Sequence, residues 1–302
     1  MNTREQEYML ALDKTRSITR AAEQLHVTQP TLSLFLTNLE KRLGTPLFHR
    51  LGKKLVPTQV GEAYLRRAQQ IVALKYDFEM EMSDLTSGRQ GTLHVGGLRK
   101  GNLFLMPRLI RRFRMDYPGV DVILHEDTAE NLEHALCAGE LDLIYINQPP
   151  THSGLHVEQV RQDHMLMVLP ADHPAARRGR WLEGCHYPYL DLHHVEQEAF
   201  YMLEEGRSVR VVADAALRYA GVEPRKIYLV SNIELGCQMA AEGLGVAFTM
   251  ESYRREHNYP HPVSYFRVGD PNYYLTWNLI WREEAFRSTY MEDFIHLLKQ
   301  FA

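Results

Sequence analysis

The chain has 302 residues, of which 45% are apolar, so it is long enough for two or three domains with cores of their own. It contains no apolar run of about 18 residues, which excludes a conventional transmembrane helix. Residues 1–67 hold 11 Lys or Arg and 6 Asp or Glu, a net charge of +5, whereas the remainder carries −9. A basic N-terminal segment on an acidic remainder is compatible with a nucleic-acid partner for that segment only, although many solvated helices are also basic.

The chain start, MNTREQEYMLALDKTRS, has the pattern of an amphipathic helix and not of an export signal, so we expect a cytoplasmic protein. The cysteines are three in number and far apart, which argues against a disulfide framework. We expect buried or half-buried thiols, with a thiol sensor as the alternative, at Cys137, Cys185 and Cys237.

Three helices are predicted at the start of the chain. The first spans about 3–14, with Tyr8, Met9 and Leu12 on one face. Ser17 is a suitable N-cap for a second helix over 18–25. Thr28 is a suitable N-cap for a third, with Pro30 in its first turn, where a missing N–H costs nothing.

The third helix has two distinct faces, and Gly44 ends it. One predicted face is a buried stripe of Leu32, Leu36, Leu39 and Leu43, flanked by Phe35. The opposite face is predicted to carry Pro30, Ser33, Leu34, Thr37 and Lys41, with Gln29 exposed at the start. Two short helices and a longer one joined by a short turn form the helix-turn-helix pattern.

A β-hairpin, or wing, is predicted over 45–57, with Gly52, Lys53 and Lys54 at its tip. A long helix of roughly 45 Å follows over 58–87. It carries a heptad seam that predicts pairing with a second copy of the chain through Tyr64, Ile71, Phe78 and Leu85, with Ala68 and Met82 between them and Lys75 interrupting the seam. The alternative is a helix that packs only on its own domain.

After a break at 87–91 the pattern changes to alternating strands and helices, which predicts parallel sheets covered by helices. In the first half, strands are expected at 92–96, 120–125 and 141–146, with helices at 106–115 and 129–138. In the second, strands are expected at 165–169, 227–230 and 246–249, with helices at 208–220 and 233–241. A further strand at 273–281 and a closing helix at 284–299 follow. The fold class we predict is an all-α winged helix-turn-helix with a linker helix, followed by an α/β domain of two Rossmann-like halves.

The segment from Ser17 to Arg50, with the following VPTQVGEAYL, closely resembles the N-terminal domain of the LysR-type transcriptional regulators. The matching positions are Ser17, Ala21, Ala22, Leu25, Gln29, Pro30, Ser33, Leu39, Glu40, Leu43, Gly44, Leu47, Phe48, Arg50, Thr58 and Gly61. GTLHVGG, LCAGELDLIYI and MAAEGLGVAF resemble parts of that family's effector domain more loosely. The resemblance implies a dimer of dimers, that is a homotetramer, held partly by the linker helix, and a periplasmic-binding-protein-like effector domain. It also implies control of transcription, with RNA polymerase as a partner.

The domains are predicted at 1–57 for DNA binding, 58–88 for the linker helix and 89–302 for the effector domain. Half I covers about 91–163 and 268–302, and half II about 164–267. In a major groove the third helix would read bases, whereas the wing cations would bind phosphates. The candidate DNA-binding residues are Ser17, Thr28, Gln29, Pro30, Thr31, Ser33, Leu34, Thr37, Arg50, Lys53 and Lys54. Alternatively, Arg50 is structural and the two lysines are solvated charges.

The chain departs from the family on the third helix. Positions that are usually polar or basic there are occupied by Leu34, Phe35, Thr37 and Asn38. Leu34 is unable to form a hydrogen bond with a base. It would either touch a thymine methyl group or pack on another element.

For the effector, the loop 98–102 follows the first strand and precedes a helix, where sheets of this kind bind ligands. The family commonly has Ser or Thr there, whereas this chain has cations, which favours an anionic metabolite between the two halves. The candidate effector residues are Arg99, Lys100, Gly101, Asn102, Thr128, Asn147, His194, Asn232 and Phe248. Alternatively, the two cations are solvated or ion-paired, and the Thr and Asn residues are caps or turn residues.

His186, His193 and His194 suggest a metal, but tight ligand spacing is missing, so we expect neither metal nor cofactor. An enzyme is the first rival, and the chain lacks the usual nucleophile, phosphate-loop and dinucleotide motifs. A constitutive DNA-binding protein and a solute-binding protein are the others. The sequence therefore predicts a homo-oligomeric regulator that binds a palindromic duplex DNA site and a small-molecule effector, without a membrane partner.

Overall fold

A computed structural model describes residues 3–52, 54–86, 89–256 and 259–301. The chain divides into two compact units. The first comprises Met1–Tyr145, Pro150–Val157 and Ile280–Phe301, and the second comprises Ile146–Pro149 and Glu158–Leu279. The domain boundaries predicted at 57/58 and 88/89 both fall inside the first unit and stay predictions.

The N-terminal segment forms three helices and a hairpin around one apolar core. The elements are α1 (Arg4–Thr15), α2 (Ile18–Gln24), α3 (Gln29–Leu43) and the antiparallel strands β1 (Phe48–Leu51) and β2 (Lys54–Pro57). The core includes Tyr8, Met9, Leu12, Ala21, Ala22, Leu32, Leu36, Leu39, Leu47, Phe48 and Leu55. The predicted winged helix-turn-helix is confirmed.

The predicted four-leucine stripe of α3 is wrong at its last member. Leu32, Leu36 and Leu39 are at most 2% exposed, whereas Leu43 is 45% exposed. Leu43 is the last residue of the helix, and Gly44, with a φ of 70°, turns the chain out of the helix directly after it. The helical spacing of leucines continues to Leu43, but the last leucine that packs in the core is Leu39, one turn earlier.

The linker helix α4 (Gln59–Thr86) has 28 residues and follows the wing directly. Thr58 begins it, since its Oγ1 accepts the N–H of Gly61 at 2.9 Å. One face is buried against the first unit and includes Gly61, Leu65, Ala68, Ala73, Asp77 and Met80. The alternative in which the helix packs on its own chain is thus correct for this face.

A five-stranded sheet with the order β4-β3-β5-β12-β6 follows. Its strands are β3 (Gln90–Gly97), β4 (Gly119–Glu126), β5 (Leu143–Ile146), β6 (Leu155–Asp163) and β12 (Leu275–Arg282). Strand β3 is parallel to both β4 and β5, as expected for β–α–β connections. The associated helices are α5 (Arg99–Asp116), α6 (Ala129–Cys137) and α9 (Thr289–Phe301).

The second sheet has the order β11-β7-β10-β8-β9. Its strands are β7 (Met165–Pro170), β8 (Ala199–Leu203), β9 (Lys226–Val230), β10 (Val246–Met250) and β11 (Val263–Arg267), with helices α7 (Ser208–Ala220) and α8 (Ile233–Ala241). Strand β8 is parallel to β9 and β10, whereas β7 is antiparallel to β10 and β11. The predicted α/β domain with two halves is confirmed.

The sequence patterns missed three strands, β6, β8 and β11. Strand β6 mixes exposed and half-buried residues without a regular alternation, and β8 and β11 have only five residues each, so their apolar runs are short. Such strands are stabilised by neighbours in the sheet and have little pattern of their own. Helix α9 also begins at Thr289 and not near 284, because a turn occupies 283–285.

Candidate DNA-binding surface and effector-binding residues

Helix α3 is the helix predicted to read bases, so we call it the recognition helix, and hydroxyl groups hold its start. Thr28 Oγ1 accepts the N–H of Thr31 at 3.4 Å and lies 2.7 Å from Thr31 Oγ1. One turn further on, Thr37 Oγ1 donates to the carbonyl of Ser33 at 3.0 Å. Three hydroxyl groups predicted to bind DNA therefore already have partners within the helix.

Residues on the outer side of α3 are open to solvent. The exposed ones are Gln29, Pro30, Thr31, Leu34, Thr37, Asn38 and Lys41, while Ser33 is half-buried. Leu34 is 62% exposed, so no other element in the described part of the chain covers it. Of the two alternatives for Leu34, packing is therefore wrong.

Ser17 caps α2, since its Oγ accepts the N–H of Arg20 at 3.5 Å. This capping hydrogen bond is by itself a sufficient structural reason for a serine at position 17, independent of any contact with DNA. In the wing, Arg50 and Lys54 are exposed, and Arg50 lies opposite Leu55 in the hairpin register. Lys53, the remaining predicted wing cation, lies outside the described residues.

Glu40 is a residue whose role the sequence did not reveal. Its Oε1 accepts the backbone N–H groups of Leu47 at 2.7 Å and Phe48 at 3.2 Å. The carboxylate thus fastens the start of the wing to the recognition helix. The helix dipole disfavours a carboxylate in the last turn of a helix. The position of Glu40 in the last turn of α3 was therefore the sequence feature that could have indicated a structural role.

The linker helix presents an exposed apolar stripe on the side away from its buried face. Its members are Val60 (47% exposed), Ile71 (37%), Leu74 (63%), Phe78 (51%), Met82 (40%) and Leu85 (72%). Ile71, Phe78, Leu85 and Met82 were predicted as seam residues, and Val60 and Leu74 were not. We call this set the linker stripe.

Two residues predicted in the seam are covered by their own chain. The Tyr64 side chain is half-buried against the N-terminal core, and its hydroxyl donates to Glu5 Oε1 at 2.7 Å. Tyr64 lies on the same side of α4 as the linker stripe, but at this end of the helix the N-terminal core covers that side. Ala68 is 1% exposed and belongs to the buried face. Lys75, which interrupts the predicted seam, reaches Glu7 at 3.2 Å on α1 instead.

The predicted loop 98–102 is in fact the start of a helix. Helix α5 begins at Arg99, with Leu98 as the N-cap residue, so Arg99, Lys100, Gly101 and Asn102 form its first turn. The sequence pattern predicted a helix only over 106–115. In the structure Pro107 lies inside an 18-residue helix that is anchored by the buried side chains of Met106 and Leu109.

Asn102 is the most enclosed polar residue of this turn, at 2% exposed. Its Nδ2 donates to the carbonyls of Gly97 at 3.3 Å and His125 at 3.5 Å, and its buried Oδ1 has no hydrogen-bond partner. A Cβ at Gly97 would lie 2.1 Å from that Oδ1, so the amide depends on a glycine there. Arg99 is exposed and Lys100 half-buried at the same helix end.

A polar network beneath this turn was not predicted. His94 Nδ1 lies 3.1 Å from His125 Nε2, and the His94 N–H donates to Asp142 Oδ2 at 2.6 Å. Tyr76 of the linker helix donates its hydroxyl to the same carboxylate oxygen at 3.4 Å. Burial raises the pKa of Asp142 to about 6, and burial together with His125 lowers the pKa of His94. The network therefore connects the linker helix to His125, whose carbonyl accepts a hydrogen bond from Asn102.

The other predicted effector residues have different surroundings. Thr128 caps α6 by accepting the Asn131 N–H at 3.3 Å, and Asn232 caps α8 by accepting the Leu235 N–H at 2.8 Å. The capping alternative is therefore correct for both, and neither bond excludes a ligand contact.

Asn147 and Phe248 lie inside the second unit, and His194 lies on its surface. Asn147 is 2% exposed, and its Nδ2 donates to Ser208 Oγ at 3.4 Å. Phe248 is 5% exposed, packs 5.9 Å from the Phe200 ring and lines a cavity of only about 10 Å³. That cavity holds one water at most, so Phe248 is a core residue in this structure.

The histidines considered for a metal are separate. His193 bonds Asp191 at 2.9 Å, His186 bonds Glu251 at 3.1 Å and His194 is exposed. Across the described ranges, no three His, Cys, Asp or Glu side chains are grouped to hold a metal ion.

Cys137 and Cys185 are half-buried free thiols and Cys237 is a buried one. In the same ranges no helix combines the length and apolarity that a membrane crossing requires.

Two family models cover nearly the whole chain. Residues 3–62 match the bacterial regulatory helix-turn-helix protein of the LysR family, and residues 86–302 match the LysR substrate binding domain. A helix-turn-helix joined to a substrate-binding domain defines a DNA-binding regulator with an effector domain. The chain belongs to the LysR family of transcriptional regulators.

Similar proteins are named as regulators. A probable RuBisCO transcriptional regulator of Cyanophora paradoxa is 31% identical over 78% of this chain and 72% of its own length. The regulator CbbR of Rhodospirillum rubrum is 30% identical over 78% of this chain and 75% of its own length.

Solved structures share the fold. A full-length variant of OxyR from Pseudomonas aeruginosa matches with a TM-score of 0.73 and 25% identity, covering 99% of this chain and 94% of its own. Full-length CbnR in complex with its target DNA matches with a TM-score of 0.62 and 20% identity over both whole chains. The BenM effector binding domain with its effector benzoate matches with a TM-score of 0.58 and 19% identity, covering 70% of this chain and 91% of its own.

Proposed function

We propose that the effector of this regulator is a small anionic metabolite that binds at the N-terminus of α5. The observation that carries the proposal is the composition of that helix end. Arg99 and Lys100 occupy the first turn, whose four residues are all described and include no acid. The N-cap residue is Leu98, whose side chain has no group that accepts a hydrogen bond.

The N-terminus of α5 is electrostatically suited to an anion. Free N–H groups at a helix N-terminus and the helix dipole already favour negative charge. Two cationic side chains add to that positive potential where an acid would ordinarily reduce it. The unpartnered Asn102 Oδ1 adds an acceptor for a ligand that also carries a hydroxyl or an N–H group.

The test is a thermal melt of the full-length chain with small carboxylates, compared with sodium chloride at equal ionic strength. Benzoate is the first probe, because the structurally similar BenM effector domain binds it; succinate and citrate follow. A carboxylate at ten times its Kd stabilises by about 1.4 kcal/mol, which raises Tm by roughly 3–5 °C.

Arg99→Gln should abolish that rise, whereas Arg114→Gln, an exposed cation in the last turn of the same helix, should keep it. The proposal is wrong if no carboxylate exceeds the chloride control. It is equally wrong if the Arg99→Gln protein shows the same shift.

We also propose that the protein acts as a homo-oligomer, a dimer or tetramer, on a palindromic DNA site. The exposed linker stripe supports pairing of copies, and a two-fold symmetric protein matches a two-fold symmetric site. Contact with RNA polymerase, and a cytoplasmic location beside the chromosome, follow from the regulatory role. The predicted DNA-binding residues of α3 and the wing belong to this proposal.

A further inference from the structure

The outward edge of the recognition helix is apolar. Pro30, Leu34, Thr37 and Lys41 are all exposed, at spacings of four, three and four residues. At 100° per residue they fall within about 60° of arc, so they form one line along the helix. The side of α3 that lies furthest from its own core therefore carries three apolar positions followed by a cation. We call Pro30, Leu34 and Thr37 the apolar ridge.

The Thr37 side chain belongs to this ridge through its methyl group. Its hydroxyl donates to the Ser33 carbonyl one turn back, at 3.0 Å. A threonine in that arrangement has its hydroxyl occupied by the backbone and its methyl available for contact. Leu34, at 62% exposed, is the largest member of the ridge, and its side chain is left open to solvent by the described residues around it.

Only one group on the major-groove edges of the bases suits an apolar ridge. Adenine, guanine and cytosine present hydrogen-bond donors and acceptors, whereas thymine also presents its C5-methyl group. We propose that Leu34 and Thr37 recognise thymine methyl groups in the DNA site, so that these two residues set part of the sequence specificity. The proposal rests on the DNA-binding role of α3 and adds the base that its ridge selects.

The spacing of the two side chains predicts where those thymines lie. Positions three residues apart are about 4.5 Å apart along a helix axis. Base pairs in duplex DNA are about 3.4 Å apart. Leu34 and Thr37 therefore contact neighbouring base pairs, and each half-site should contain a thymine, on either strand, at two adjacent positions. Gln29 and Asn38, exposed on either side of the ridge, would form hydrogen bonds with the bases beside them.

The test removes the methyl group without changing base pairing. The full-length chain is first used to select its preferred duplexes from a randomised DNA library. Each thymine of the selected site is then replaced by deoxyuridine, one at a time, and Kd is measured at constant salt. Deoxyuridine at one or two adjacent positions of a half-site should weaken binding about four-fold each, the loss expected for one buried methyl group.

The Leu34→Ala protein should lose that sensitivity at one of those positions, with deoxyuridine and thymidine sites bound within two-fold of each other. Leu43→Ala is the matched control, because Leu43 is 45% exposed on the same helix but lies on the side away from the ridge. It should keep the full sensitivity. Since Leu34 is solvent-facing, Leu34→Ala should fold, and the deoxyuridine scan of the unaltered chain is informative by itself.

The possible results distinguish thymine recognition by Leu34 and Thr37 from DNA binding by α3 itself. If duplexes are selected but no deoxyuridine substitution changes Kd by more than two-fold, the methyl contacts do not exist and DNA binding stands. The inference also fails if Leu34→Ala stays as sensitive as the unaltered chain. If the library yields no preferred duplex at low salt, sequence-specific DNA binding and thymine recognition both fail.

Discussion

At the scale of single residues, the winged domain depends on a close approach between two backbones. A Cβ added at Gly61 would lie 2.0 Å from the carbonyl oxygen of Leu47. That oxygen has little freedom to withdraw, because it accepts the N–H of Thr58 at 2.9 Å. The first turn of the linker helix therefore packs directly on the chain that leads into the wing.

We expect Gly61→Ala to lower the free energy of unfolding by about 1–3 kcal/mol, the usual cost of overpacking. Urea unfolding of the full chain, followed by circular dichroism, measures it. The control is Gly236→Ala in α8, where an added Cβ would meet its nearest atom at 3.4 Å. That change should be neutral or stabilise by up to about 1 kcal/mol, because alanine is the better helix former. Equal effects of the two substitutions would contradict the close approach.

At the scale of elements, the linker helix is apolar on two sides for different reasons. Its buried face packs within the first unit, and the linker stripe lies open to water. An exposed apolar stripe with heptad-like spacing along a helix of 28 residues is typical of a helix that pairs with a partner. The stripe is the part of α4 that a second copy would cover.

We expect Leu74→Ser to weaken self-association by about 10–100-fold, because each copy of a symmetric pair loses one buried leucine. Sedimentation velocity over a range of concentrations measures the change. Leu51→Ser is the matched control, since Leu51 in the wing is 65% exposed and Leu74 is 63% exposed. A parallel fall in association for both variants, or none for Leu74→Ser, would show that the stripe does not form the interface.

At the scale of the whole molecule, an ion pair joins segments 205 residues apart in the first unit. Arg282, at the end of β12, donates to both carboxylate oxygens of Asp77 in the linker helix, at 2.8 and 3.3 Å. Burial raises the pKa of Asp77, and the paired guanidinium opposes that rise. The two-bond geometry in a poorly solvated place makes this pair stronger than a surface ion pair.

A double-mutant cycle with Asp77→Asn and Arg282→Gln should give a coupling energy of about 1–3 kcal/mol in urea unfolding. The cycle for Arg112 and Asp116, an exposed pair within α5, should give about 0.5 kcal/mol or less. Similar coupling in the two cycles would mean that the distant pair does not fasten the linker helix to the sheet.

Much of the fold could be predicted because its determinants are local. Ser17, Thr28, Thr128 and Asn232 each cap the helix that follows, and a cap needs only a side chain and an N–H three residues away. The winged helix-turn-helix and the alternation of strands and helices depend on periods of a few residues. The contacts to DNA and effector at the predicted residues stay predictions.

Which side chains are covered depends on how the elements pack together. Most helices, their caps and the charge asymmetry could be predicted from the amino-acid sequence, because they depend on neighbouring residues or on composition. The sequence could not determine that Leu43 is exposed, that Tyr64 packs on α1, that α5 begins at Arg99 or that β6, β8 and β11 are strands. Burial and strand pairing depend on elements brought together from distant parts of the chain, and no local period records them.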